Sequence, residues 1–88
     1  MASTYFGLLA EYETAEIPLE SICTKYFSIS FSVAKNRANN QQLPVPAYKA
    51  GTNKSPWLVS AADLAKYLDE RKEQARREWE QMNRQHVA

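Results

Sequence analysis

Cysteine and histidine are nearly absent from this chain, with Cys23 and His86 the only examples among 88 residues. One thiol cannot close an internal disulfide, and one thiol with one imidazole cannot make a zinc set. Reducing cytoplasm is the simplest compartment to expect. Glycine is scarce too, and Gly7 and Gly51 stand too far apart to form a phosphate-cradling loop. No apolar run approaches membrane-spanning length, and the opening MASTYFGLLAEYE turns acidic with no preceding positive charge, unlike a signal peptide. No nucleophile–base pair and no carboxylate pair in an apolar setting can be read from the pattern. The expectation is a protein with no metal, no cofactor, no membrane contact and no catalysis.

Aromatics are plentiful at 11% of the chain, which suits one small domain with a real core but little stability to spare. The net charge is only +1, so its distribution matters more than its size. Residues 1–34 carry four acids and one base, while residues 58–88 carry six of each sign. Between them, residues 35–57 hold Lys35, Arg37, Lys49 and Lys54 with no acid at all. That span is the one place where a phosphate-binding surface would be expected.

Hydrophobic spacing divides the chain into elements. Tyr5, Leu8, Leu9 and Tyr12 recur at helical intervals, giving a short helix over 4–12 with Ser3 or Thr4 as its cap. Thr14 to Ile17 reads as a connector, extended where β-branched Ile17 precedes Pro18. Pro18 suits the first turn of a helix over 18–27, whose apolar face is Leu19, Ile22, Cys23, Tyr26 and Phe27. Ser28-Ile29-Ser30 is a turn, and Ser30 can cap a second helix over 31–40 with Phe31, Ala34 and Ala38 inward. Val45–Lys49 and Trp57–Val59 then form a hairpin, with Gly51 and Asn53 supplying positive φ in the 50–56 turn. Ser60 to Asp63 is an aspartate capping box opening a long helix to about Arg84, with Leu64, Tyr67 and Leu68 packed on the domain.

The expected fold is mainly α with a small β-hairpin: a winged helix-turn-helix over 1–70, followed by a helical extension over 71–88. Such an arrangement reads double-stranded DNA by placing the second helix in the major groove. On that helix Ser32, Lys35, Asn36 and Asn39 face outward and are the expected base contacts, since amides can make the two-bond contact with adenine. A merely solvated face is the plain alternative, but Asn is a poor helix former, and several in one short helix require a reason. Backbone contacts are expected from Arg37, Asn40, Lys49, Thr52, Asn53 and Lys54. Arg37 falls at the edge of the buried face, where packing its stem competes with reaching phosphate. In the extension, Ala75, Trp79 and Met82 share a stripe on an otherwise charged helix, which favours self-association over an isolated exposed aromatic.

The segments FGLLAEYE, IPLESICTKYF, LPVPAYKAG and KSPWLVSAADLAKYLDERKEQARREWEQMN together resemble the pyocin activator protein (PrtN) family. More loosely, the helix-turn-helix and wing are similar to phage excisionases and MerR-like domains. The resemblance implies a small bacterial or prophage DNA-binding regulator, most naturally an activator, with RNA polymerase or an integrase as possible partner. Related domains often place glycine before the Leu-Pro, whereas Asn39-Asn40-Gln41-Gln42 stands here, with Asn expected to take the left-handed cap. Two other readings stay open at this point: an excisionase-like DNA-bending factor that directs an integrase, and an antirepressor-type protein-interaction module.

Overall fold

The computed structural model describes residues 4–86. Ser3 and the end of the 71–88 extension therefore lie outside the described residues. Seven elements follow in order: α1 (Thr4–Tyr12), β1 (Glu16–Pro18), α2 (Leu19–Phe27), α3 (Phe31–Asn39), β2 (Tyr48–Lys49), β3 (Trp57–Ser60) and α4 (Ala61–His86). The molecule is mainly helical around a small antiparallel sheet, with a long C-terminal helix, as the periodicity indicated.

The sheet is larger than the expected hairpin. It has three strands in the order β1-β3-β2, with Ile17 opposite Val59 and Lys49 opposite Trp57. The connector before Pro18 is thus an edge strand, recruited because Ile17 can bury itself fully against Val59. Pro18 is also displaced from its expected place. It closes β1 and serves as the N-cap of α2, at φ −59° and ψ 132°, rather than entering the first turn. An edge strand tolerates a missing N–H, and the fixed φ suits the passage into a helix. The other correction concerns β2, which is only two residues long. Pro44 and Pro46 have no donors to offer a ladder, and Val45 turns into the core instead.

The core lies where the helices meet the sheet. Ile17, Leu19, Ile22, Val59, Ala61 and Leu64 are wholly buried there, with Ala34 of α3 closing one side. Each large aliphatic removed from water contributes roughly 1.5–3 kcal/mol. Phe27 meets Tyr67 edge to face at 5.6 Å, tying α2 to α4. Two polar links anchor α1. Thr4 donates to Asp69 at 2.5 Å and accepts from Lys72 at 3.1 Å. Glu11 pairs with Lys25 of α2 at 2.7 Å, and that ammonium draws the Glu11 carboxyl below its ordinary range while its own pKa rises.

Helix α4 starts as a continuation of the sheet. Ala61 donates its N–H to the carbonyl of Ala15 at 2.7 Å, and the Ser60 hydroxyl accepts from Ala62 at 3.2 Å. Leu64 is buried, and Tyr67 and Leu68 are half-buried, as expected. From Asp69 to Arg84 every residue is exposed, so the helix leaves the domain as an arm, and the molecule measures 59 × 28 × 16 Å.

Candidate nucleic-acid interface

Helices α2 and α3 are joined by Ser28, Ile29 and Ser30. Ser28 turns the chain with a left-handed backbone at φ 56°, and the Ile29 N–H reaches back to the Cys23 carbonyl at 3.3 Å. Ser30 then caps α3, its hydroxyl accepting from the Val33 N–H at 3.2 Å. At the far end α3 closes in a Schellman arrangement: Gln41 donates to Ala38 at 3.1 Å and Gln42 to Arg37 at 2.8 Å. The left-handed residue of that cap is Gln41, at φ 55°, and not Asn39 or Asn40 as the sequence suggested. The cap position is set by the last buried residue, Ala38, and the chain must turn right after it to carry Leu43 and Val45 to the core.

Between these caps, Ala34 and Ala38 are buried and Phe31 is half-buried, so the other side of α3 faces solvent. At about 100° per residue, that outward face runs in the order Lys35, Asn39, Ser32, Asn36, Asn40, Val33, Arg37. All seven are exposed. Amides and a hydroxyl occupy the middle, and one cation stands on each rim. Lys35 rests its ammonium 4.8 Å from the Phe31 ring centre. Arg37, expected at the edge of the buried face, is exposed on the rim opposite Lys35. The Asn40 amide leans on the Asn36 oxygen at a long 3.4 Å, which leaves the Asn36 NH2 directed elsewhere.

Val33 is the residue that pattern reading missed. An apolar residue on a helix is ordinarily assigned to the core, yet Val33 is 40% exposed and lies among the amides. The signal was available: it falls on neither Phe31, Ala34 nor Ala38's side of the helical wheel.

The hairpin places its groups differently. Lys49 donates to the Asn53 carbonyl at 2.8 Å and holds its ammonium 5.0 Å from the Trp57 ring centre, so it braces the hairpin from within. Trp57 packs its remaining surface against the core. Thr52, Asn53 and Lys54 stand exposed at the tip, ordered by bonds from Ser55 N–H to the Thr52 carbonyl and from Lys54 N–H to its hydroxyl. Neither Gly51 nor Asn53 takes positive φ. Gly51 is instead a close approach, because a Cβ there would sit 2.6 Å from the Ser55 hydroxyl. Tyr48 donates to Glu16 across the central strand, which raises the phenol's pKa.

Ala75, Trp79 and Met82 lie together on the arm, with Trp79 64% and Met82 57% exposed. Glu73 and Arg77 pair at 3.6 Å beside them. Among the described residues no cluster of histidine, cysteine and carboxylates is suited to a metal ion, and no helix is long and apolar enough to cross a membrane.

No curated protein and no solved structure is similar enough to align with the chain. The family model described as pyocin activator protein PrtN matches residues 4–75, which takes in both helices of the α2–α3 pair, the whole sheet and the first half of α4, while Trp79 and Met82 fall beyond it. With that span covering the core, the caps and the exposed face of α3, the chain belongs to the pyocin activator protein PrtN family.

Proposed function

We propose that this protein is a sequence-specific DNA-binding activator of prophage or pyocin-type genes, acting as a winged helix-turn-helix. The observation that carries the reading is the outward face of α3, where a strip of amides lies between Lys35 and Arg37. A helix about 10–12 Å across fills a major groove about 12 Å wide, so a cation on each rim meets a different phosphate strand. Ser32, Asn36 and Asn39 then face base edges, where amides bond adenine through two contacts. Thr52, Asn53 and Lys54 at the hairpin tip meet the flanking backbone, as does Asn40 at the end of α3. Lys49 serves by stiffening that tip.

The arm supports pairing with a second copy. Lys72, Ala75, Trp79 and Met82 recur at the 3.5-residue spacing of a coiled-coil seam. Parallel pairing would set Lys72 against Lys72, whereas antiparallel pairing lays Trp79 of one copy over Met82 of the other. A dimer of this kind predicts a two-fold symmetric footprint with half-sites spaced by helical turns.

The test is a titration of duplex DNA at several salt concentrations. Binding should weaken steeply with salt, and replacing Lys35, Arg37 or Lys54 with Ala should reduce the log–log slope by about 0.9 for each lost phosphate contact. Asn36→Ala and Asn39→Ala should each cost ~1–3 kcal/mol of cognate binding with little change against random sequence. Affinity that ignores both salt and these substitutions would refute the assignment.

A further inference from the structure

Resting on the DNA-binding reading of α3, we infer that Val33 is a specificity residue that contacts the C5-methyl of a thymine next to the adenine read by Asn36. Three observations lead there. Val33 is 40% exposed on the outward face, between the Asn40 amide and Arg37. Its backbone N–H is held by the Ser30 hydroxyl at 3.2 Å, so it occupies the fixed first turn of the helix, the part that enters a groove first. Asn36 follows one turn later on the same face, about 4.5 Å further along the axis.

The chemistry then selects the target. The thymine C5-methyl is the apolar group that the floor of the major groove offers; cytosine carries only a hydrogen at C5, and adenine and guanine present N7 with N6 or O6. A β-branched side chain in a helix keeps essentially one rotamer, so Val33 brings two methyl groups to a defined place with little entropy to lose. In water the same residue gains nothing for the helix, since both Val and Asn are poor helix formers. An axial step of about 4.5 Å compares with a base-pair rise of about 3.4 Å. Val33 and Asn36 therefore address the same or adjoining base pairs, and the preferred site contains an A·T pair at this point.

The experiment removes the methyl alone. A cognate duplex is selected from a random pool with the wild-type protein, and each thymine in it is replaced in turn by deoxyuridine. One position should weaken wild-type binding by ~3–5-fold, the amount expected for one buried methyl group. Val33→Ala should bind the all-thymine site more weakly by a similar factor and show no further loss at that deoxyuridine. Because Val33 is exposed and Ala favours helix, the variant should keep the wild-type circular dichroism and melting point. Equal deoxyuridine penalties in the two proteins overturn the role of Val33 while leaving DNA binding intact. Failure of any cognate duplex to emerge from the pool overturns the reading of α3 itself, and the Val33 inference with it.

Discussion

Gln41 adopts φ 55° at the end of α3, a conformation in which a Cβ meets the backbone and which glycine takes without that cost. Gln41→Gly should therefore stabilise the fold by about 0.5–1 kcal/mol, the relief of left-handed strain exceeding glycine's greater freedom in the unfolded chain. The urea midpoint would report it, and DNA affinity should stay unchanged because the cap bonds to Ala38 and Arg37 use only backbone. Lys25 and Glu11 behave in the opposite sense toward pH. The Glu11 carboxyl is lowered by its bond from Lys25, so its contribution is complete above the ordinary carboxylate range and is lost as pH falls through the depressed value. Lys25 is raised, so its share is present below the usual lysine range and disappears as pH rises beyond it. Both side chains are about half exposed, which keeps the effect small and salt-sensitive. In Glu11→Gln the melting temperature should fall less steeply on acidification than in the wild type, and an identical acid slope would remove the pair from the account.

At the scale of elements, α3 depends on its two ends more than on its composition. Its residues include Ser32, Val33, Asn36 and Asn39, all indifferent or poor helix formers. The Ser30 cap, the Gln41–Gln42 closure and the buried Ala34 and Ala38 compensate. Ser30→Ala should cost about 1 kcal/mol and speed hydrogen exchange at the Val33 amide, whose acceptor it removes. The same substitution should weaken DNA binding, since Ser32 and Val33 stand in the turn that frays. Sequence spacing captured α3, its Ser30 cap and the inward trio of Phe31, Ala34 and Ala38, because each is a local property of a dozen residues. It missed that Pro18 ends a strand, since strand pairing joins Ile17 to Val59 across more than forty intervening positions. It also overextended β2, because nothing local says that Val45 points to the core and not along a ladder.

At the scale of the whole molecule, α4 divides the protein into a packed domain and an arm. The first two turns are held by Ala61, Leu64 and Ala65 in the core, and Thr4 grips Asp69 and Lys72 just beyond. Past that point every residue to Arg84 is exposed, and a helix of this length without a buried face is marginal in water. Self-association through Trp79 and Met82 would supply the missing burial. Trp79→Ala should shift the mass in light scattering toward monomer while leaving the domain's fold intact, because Trp79 is 64% exposed in the single chain. An unchanged mass would exclude Trp79 from any interface.

Periodicity, capping residues and charge placement were enough to locate the helices, the acid-free span of residues 35–57, and the outward amides of α3. Each depends on residues within one or two helical turns, where the backbone geometry is known in advance. Three features required the tertiary structure. These were the third strand, which pairs Ile17 with Val59, the commitment of Lys49 to Asn53 and Trp57 within the hairpin, and how much of Arg37 and Val33 the neighbouring elements leave exposed. A helical wheel gives directions around an axis, but the width of the buried arc depends on what packs against it. In α3 that arc is narrow, set by two alanines and part of Phe31, and its narrowness is what leaves both rims of the helix charged and open.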